Sequence, residues 1–372
     1  MQFIDLKTQQ KSIRSNIENR LRQVLDHGQY IMGPEITELE NQLSKYVGIK
    51  HAIGVSSGTD ALMLALMNYD VGQGDAILTT PFTFIATVEM ICLLGATPVF
   101  VDIDPVTFNI DPSAIKQTIE KCQSNLRGIV AVDLFGLPAD YHAINSLAKD
   151  HGLFVIEDAA QSFGAVYHGK RACSLAEIAC TSFFPAKPLG GYGDGGMCFT
   201  NDDAFAEKIR SLMLHGQGKH RYSHTHVGIN GRLDSIQAAI LLEKFSIFPD
   251  ECIARQTIAN RYTQKLKTHP SITTPHIPDN YQSVWAQYSI LLENIDQRQQ
   301  LQSRLKDKNI PTAIYYPVPI HQQPIFKDVQ TPKMPVSEDI SNRIVSLPMH
   351  PYLSETQQDL IIAAVFEALD DC

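Results

Sequence analysis

The sequence lacks the features of a membrane protein or a nucleic-acid-binding protein. Its 372 residues contain no apolar run close to the ~20 residues that a membrane-spanning helix needs. The 31 Lys and Arg residues are outnumbered by 40 Asp and Glu, and they form no basic stripe. This charge balance excludes binding driven by phosphate backbones or anionic lipids. We therefore expect a soluble protein that acts on small molecules.

Cysteine is also sparse. The seven cysteines are scattered without Cys-x-x-Cys spacing, and their odd number does not fit a disulfide framework. The first residues, Met1–Asp5, lack the charged and then apolar regions of a signal peptide. We expect a protein that is not exported and that works in the reducing cytoplasm.

Between residues 50 and 200, short β-rich runs alternate with helical patterns, which is typical of a layered α/β sheet with helices on both faces. Several runs are apolar throughout, as strands buried on both faces should be. The predicted strands are Ala52–Ser56, Ala76–Thr80, Pro98–Ile103, Gly128–Leu134, Leu153–Asp158, Cys180–Phe184 and Met197–Thr200, and the predicted helices are Thr59–Asn68, Phe82–Leu94, Pro112–Lys121 and Tyr141–Asp150.

The pattern changes after Arg232. Long amphipathic helices are followed by a strand at Tyr288–Leu292, a helix near Gln297–Lys308, a strand at Thr312–Tyr316 and a terminal helix from Glu355. A chain of this length favours more than one core. We predict a large α/β domain over residues 1–245 and a smaller α+β domain over residues 246–372, with the N-terminal helices packing on the smaller one.

Lys187 lies between two prolines and ahead of a glycine cluster, so it belongs to a constrained loop that holds its amine in place. Asp158 ends an apolar strand upstream, where ligand sites gather in open α/β sheets. A desolvated lysine can form a Schiff base, and a buried carboxylate can pair with a pyridinium nitrogen. Together the two residues suggest pyridoxal phosphate, with Gln161 placed to bond the ring hydroxyl. For Asp158 alone, a capping role is an equal alternative.

Two glycine-containing turns have competing interpretations. Gly58 and Thr59 follow a strand and open a helix, so they could seat a phosphate, although an N-cap without a ligand is the commoner role of such a turn. Gly191–Gly196 matches G-x-G-x-x-G, but the dinucleotide motif requires a helix at its third glycine. A strand is expected there instead, and we reject that function.

Aromatic and histidine residues also allow more than one interpretation. Phe84 could stack on a flat ring, but its position alone favours the core. His215, His220, His224 and His226 crowd one segment without a recognisable ligand spacing, so a polar loop is favoured over a metal site.

Six ordered motifs resemble those of the DegT/DnrJ/EryC1/StrS family of nucleotide-sugar aminotransferases. They extend over nearly the whole chain: Gly28–Pro34, Ser57–Asp60, Glu157–Gln161, Ser182–Lys187, Asn230–Ala238 and Ser346–His350. The resemblance implies the fold-type I architecture of pyridoxal phosphate enzymes, with a large mixed, mainly parallel sheet and a smaller α+β C-terminal domain.

The resemblance also implies a role for each matching position. Lys187 would bind the cofactor covalently and act as the catalytic base and acid, while Asp158 would pair with the ring nitrogen. The other cofactor contacts would be Gln161 at the ring hydroxyl, Phe84 stacked on the ring, and Gly58, Thr59 and Ser182 at the phosphate. Asn230 would reach the phosphate from the neighbouring subunit of a homodimer with shared sites. The nucleotide sugar would contact Gly28, Tyr30, Arg232, Tyr315 and Tyr316.

Within the family, the chain is most similar to enzymes that aminate C3 of UDP-2-acetamido-2-deoxy-3-oxo-glucuronate with L-glutamate, for bacterial surface polysaccharides such as O-antigen. Ala186 and Tyr315 replace the serine and histidine common in those relatives, at positions that face the substrate by analogy. The alternative substrates are a dTDP-3-keto-hexose and a UDP- or GDP-linked 4-keto-6-deoxyhexose. An alternative of another class is a catalytically silent regulatory protein. Related dehydratases carry histidine at the position of Lys187.

Overall fold

The computed structural model describes residues 1–327 and 331–370. The helices are α1 (Leu6–His27), α2 (Pro34–Val47), α3 (Gly58–Asn68), α4 (Ala86–Leu93), α5 (Pro112–Lys121), α6 (Tyr141–Asp150), α7 (Asp203–Leu212), α8 (Ser235–Leu266), α9 (Ile295–Asp307), α10 (Pro335–Arg343) and α11 (Glu355–Asp370). The strands are β1 (His51–Val55), β2 (Asp75–Thr79), β3 (Thr97–Phe100), β4 (Asn125–Val132), β5 (Phe154–Asp158), β6 (Val166–Tyr167), β7 (Lys170–Arg171), β8 (Ile178–Ser182), β9 (Gly196–Thr200), β10 (Tyr281–Gln282), β11 (Tyr288–Leu291) and β12 (Ile344–Leu347).

A seven-stranded sheet organises the first two hundred or so residues, in the order β1-β9-β8-β5-β4-β2-β3. Strands β8, β5, β4, β2 and β3 are parallel, and β9 runs antiparallel between β8 and β1. Strand β5 pairs directly with β8, in a register that aligns Asp158 with Cys180. The prediction of a mixed, mainly parallel sheet is confirmed.

The sequence patterns locate the elements of this sheet, although β3 ends at Phe100 rather than Ile103 and β4 begins at Asn125 rather than Gly128. Helix α4 begins at Ala86 rather than Phe82, and the backbone N–H of Phe82 donates to the Thr80 hydroxyl at 3.1 Å. The strand predicted at Thr312–Tyr316 is wrong: only Ala313 pairs, with Ser346. Prolines flank that segment on both sides, and a residue without an N–H cannot extend a strand ladder.

The region after Arg232 begins with one helix rather than several. Helix α8 is 32 residues long, and the predicted domain boundary at residue 245 falls inside it. Helix α1 packs on α8 through Ile13, Ile17 and Ile240. A separate core joins the C-terminal half of α8 to β11, β12, α9 and α11. The division into two domains stays a prediction.

Among the described residues, no helix has the length and apolar character needed to cross a membrane. The six cysteines in this part of the chain are free, and Cys372 lies outside it.

We expect Gly128→Ala to destabilise the sheet. Gly128 lies in the buried part of β4, and an added Cβ would overlap the Phe154 ring. That ring cannot easily move because it stacks on Tyr69 with centroids 4.0 Å apart. Overpacking of this kind costs about 1–3 kcal/mol, which urea unfolding would detect as a lower midpoint.

The matched control is Gly72→Ala, because the nearest atom to an added Cβ there is 4.0 Å away. We expect its free energy of unfolding to stay within about 0.5 kcal/mol of the parent. Equal midpoints for both variants would contradict the packing described for β4.

Candidate active site

A cavity of about 450 Å³ lies at the carboxyl ends of β5 and β8. Neighbouring parallel strands end at the same edge of a sheet, so the end of β5 and the loop after β8 meet there. The predicted site residues that line the cavity are Gly58, Thr59, Phe84, Asp158, Gln161, Ser182, Lys187, Tyr315 and Tyr316. The structure therefore brings together residues that are up to 258 positions apart (58 to 316).

A tight loop carries Lys187. Its backbone N–H donates to Phe184 O at 2.9 Å, and Gly191 N donates to Phe183 O at 2.7 Å. A side chain at Gly190 would lie 2.5 Å from Phe184 O, so only glycine allows this close turn. Desolvation in the cavity lowers the pKa of Lys187, while the charge of Asp158 partly opposes the shift. The amine is thus neutral more often than an exposed lysine amine would be.

Asp158 is buried, with 4% of its surface exposed. The Thr87 hydroxyl donates to its Oδ2 at 2.8 Å, and Ala160 N donates to its Oδ1 at 3.2 Å. Burial raises the pKa of Asp158, whereas these two hydrogen bonds and the charge of Lys187 lower it. The carboxylate is therefore held in one orientation by donors that favour its charged form.

Sequence reasoning missed two threonines in this site. Thr83 and Thr87 both line the cavity, and their hydroxyl oxygens lie 3.1 Å apart. Their spacing of four residues at the start of a predicted helix places both side chains on one face. That spacing, just after the end of a strand, could have identified the two threonines as candidate site residues.

Gln161 is held on both sides of its amide. The Oε1 atom accepts a hydrogen bond from Phe135 N at 2.8 Å, and Nε2 donates to the Tyr316 hydroxyl at 3.1 Å. A side-chain amide carries two N–H donors, so one Nε2 hydrogen is left for a ligand. Burial raises the pKa of Tyr316, which keeps its hydroxyl protonated.

The turn before α3 contains an N-cap and also borders the cavity. Ser57 is the N-cap, and its hydroxyl accepts a hydrogen bond from Asp60 N at 3.0 Å. Gly58 and Thr59 line the cavity at the first turn of the helix. A Cβ at Gly58 would lie 2.6 Å from the Cβ of Ser182, so this turn requires glycine.

Two other sequence interpretations can be compared with the structure. Phe84 is 57% exposed and lines the cavity, so the alternative of a core position is wrong. The segment after the third glycine of Gly191–Gly196 is strand β9, and the rejection of a dinucleotide motif is confirmed. Gly195 lines the cavity, whereas Gly193 packs on Gln237.

A second cavity of about 520 Å³ contains Asn230 and Arg232. It adjoins the first, since Ser57 and Asp194 line both. Arg232 forms a β-bridge with Val55, the last residue of β1, so its backbone lies beside the turn between β1 and α3. The buried Nε of Arg232 has no hydrogen-bond partner within residues 1–327 and 331–370.

Gly28 and Tyr30 line neither cavity. Both are exposed just after α1, and Tyr30 O accepts a hydrogen bond from Ser235 N at 2.9 Å. In the described part of the chain, no group of three or more His, Cys, Asp or Glu side chains could hold a metal ion. The predicted site residues therefore form one group around Lys187 and a second near the start of α8.

The fold and the first cavity together define a pyridoxal phosphate-dependent aminotransferase. The model of the DegT/DnrJ/EryC1/StrS aminotransferase family matches residues 11–366, and the chain belongs to this family.

The chain is similar to curated and solved members over almost its full length. It is 49% identical to UDP-2-acetamido-2-deoxy-3-oxo-D-glucuronate aminotransferase of Pseudomonas aeruginosa, covering 98% of this chain and 99% of that one. A crystal structure of a DegT DnrJ EryC1 StrS aminotransferase from Brucella abortus superposes with a TM-score of 0.94 at 45% identity, covering 99% of both chains. NtdA from Bacillus subtilis, solved with bound cofactor PMP, gives a TM-score of 0.89 at 29% identity over 96% of this chain and 82% of that one.

We expect Thr87→Val to weaken binding of pyridoxal phosphate by about tenfold, because the near-isosteric change removes a donor to the Asp158 carboxylate. The loss of this hydrogen bond should raise the pKa of Asp158. If Asp158 pairs with the ring nitrogen, as the resemblance implies, it would then lose its charge at a less acidic pH than in the parent. Titrating the apoprotein with cofactor at about pH 6 and about pH 8 should show the larger defect at the lower pH.

Thr83→Val serves as the matched control, because the Thr83 hydroxyl contacts Thr87 and not the carboxylate. Its affinity should fall less than about threefold. If both variants bind the cofactor equally well, and neither affinity depends on pH, Thr87 does not act through Asp158.

Proposed function

We propose that the protein transfers the amino group of L-glutamate to UDP-2-acetamido-2-deoxy-3-oxo-D-glucuronate, in the cytoplasm, for a bacterial surface polysaccharide such as O-antigen. The observation that carries the proposal is that Lys187 and Asp158 face one cavity and shift each other's pKa. The choice of sugar is supported by the name of the Pseudomonas aeruginosa relative, because 49% identity extends over nearly all of both chains.

The cavity residues fit pyridoxal phosphate. The N-terminus of α3 offers backbone N–H groups and a glycine whose missing side chain leaves room for an anion beside Ser182. Asp158 and the Nε2 hydrogen of Gln161 that is not bonded to Tyr316 suit a ring nitrogen and a ring hydroxyl. We assign the phosphate to Gly58, Thr59 and Ser182, and the ring to Phe84, Asp158 and Gln161. When bound, the cofactor supplies an electron sink next to the reacting carbon.

Lys187 is the residue that would move protons. Its amine would hold the cofactor covalently until L-glutamate displaces it, and the low pKa favours the neutral, nucleophilic form. The freed Nζ would then take the proton from the Cα of glutamate, and in the second half-reaction it would deliver a proton to the sugar carbon. Both substrates use one site in turn, so ping-pong kinetics should follow.

We expect Lys187→Ala to abolish turnover and the visible absorbance of lysine-bound cofactor, because the covalent attachment and the proton carrier are lost together. Borohydride treatment of the cofactor-loaded parent followed by peptide mapping should label Lys187. The control Lys170→Ala removes an exposed lysine of β7 and should leave both signals unchanged. Full activity in Lys187→Ala would overturn the assignment.

We also propose that two copies of the chain form a homodimer with shared sites. Large apolar side chains are exposed around both cavities: Phe84 and Phe184 line the first, Ile31 lines the second, and Tyr30 and Met32 flank Ile31. Exposed apolar surface of this kind suits a partner chain. Asn230 would then reach the cofactor phosphate in the partner's site, and Arg232 would reach the partner's substrate. The unpartnered Nε of Arg232 suits an anion, either a nucleotide phosphate or the uronate carboxylate.

Mixed dimers test whether the sites are shared. Subunits with Lys187→Ala and subunits with Arg232→Ala should each be inactive alone. If Arg232 serves the partner's site, each mixed dimer regains one complete site, so co-expression should restore about a quarter of the parental activity. Failure to complement, with mixed dimers verified by two affinity tags, would place Arg232 in the site of its own subunit.

Assaying a panel of keto nucleotide sugars separates the alternatives. Preferred turnover of a dTDP-3-keto-hexose or of a UDP- or GDP-4-keto-6-deoxyhexose would replace the sugar proposed above while keeping the chemistry. Tyr315 lines the cavity, as does Ala186, so the two residues that differ from the common pattern lie where they can affect this choice. A protein whose cofactor absorbance does not respond to glutamate would instead be a silent regulatory protein.

A further inference from the structure

Gln287 lines the Lys187 cavity but belongs to none of the motifs above. It immediately precedes β11, and its Oε1 is buried with no hydrogen-bond partner among the described residues. Leaving such an amide atom unsatisfied costs about 1–3 kcal/mol. A polar atom of this kind on the wall of a ligand cavity suggests that a ligand supplies the partner.

The segment that carries Gln287 is fixed to the turn that also holds Gln161. Val284 N donates to Gly136 O at 3.0 Å, and Ala286 N donates to Phe135 O at 3.1 Å. Phe135 N in turn donates to the Oε1 of Gln161 at 2.8 Å. One turn of chain thus sets the positions of both amides, so Gln287 is held at a constant place relative to Gln161.

The charge of the side chain indicates which substrate group it contacts. Glutamate presents carboxylates, which are best matched by cations. A neutral amide instead offers one acceptor and two donors, which match neutral hydroxyl or acetamido groups. An acetamido group has one N–H and one C=O, so it can bond both ends of a glutamine amide.

We propose that Gln287 determines specificity by hydrogen-bonding the 2-acetamido group of the sugar. This inference rests on the proposed function for the identity of the sugar. The competing explanation is a bound water, because Gln287 also lines a small cavity of about 30 Å³, large enough for a water molecule. In that case the side chain would affect stability and not discrimination.

Calorimetric binding of two nucleotide sugars to the holoenzyme tests the inference. UDP-N-acetylglucosamine carries the 2-acetamido group, and UDP-glucose carries a hydroxyl in its place. The parent should prefer the acetamido ligand. Gln287→Leu should weaken binding of UDP-N-acetylglucosamine about tenfold and that of UDP-glucose less than about twofold, so the preference collapses. Gln282→Leu, an exposed glutamine of β10 outside the cavity, should keep the preference of the parent.

The outcomes separate the two proposals. A parent that does not prefer the acetamido ligand would overturn the sugar assigned above, and the inference with it. A parent that prefers it together with a Gln287→Leu variant that keeps the preference would overturn the inference alone. An equal loss for both ligands would also overturn it, as would unchanged binding with a raised urea midpoint, which is the result expected for a water-filled cavity.

Discussion

The candidate active site depends on one electrostatic constraint, the mutual influence of a buried lysine amine and a buried carboxylate that line the same cavity. Burial alone favours the neutral form of both groups: it lowers the pKa of Lys187 and raises that of Asp158. Each charge opposes the shift of the other, so the site holds an amine that can lose its proton beside a carboxylate that can keep its charge. Sheet topology creates this arrangement, because β5 and β8 are adjacent and parallel and therefore deliver both groups to the same edge.

Hydrogen bonds extend this constraint through the walls of the cavity. Thr87 orients the Asp158 carboxylate from α4, and the turn at Phe135 orients Gln161. The same turn binds the backbone ahead of Gln287, which also lines the cavity. Groups proposed to contact the cofactor and a group proposed to contact the sugar are thus parts of one connected framework. Pre-organised contacts of this kind lose little entropy when a substrate binds.

The two adjoining cavities support the proposal that two subunits share their sites. Lys187 lines the first cavity and Arg232 lines the second, and Ser57 and Asp194 line both. The buried Nε of Arg232 has no hydrogen-bond partner among the described residues. A cation left without an anion in a partly buried place is costly. Either a substrate anion or a second copy of the chain can resolve that cost, and the proposed homodimer brings both to the same place.

Local features could be predicted from the sequence: the apolar strands, the capped start of α3, the constrained Lys187 loop, and the residue types that suit pyridoxal phosphate. These follow from periodicity and from proline and glycine, which act over a few residues. The tertiary structure decided what depends on contacts between distant segments. It showed that Thr312–Tyr316 does not form a strand, that Phe84 is exposed in the cavity, that Arg232 lies in a separate cavity from Lys187, and that Thr87 and Gln287 belong to the site. No local pattern encodes such pairings, because they arise only when the sheet brings together residues that are far apart in the chain.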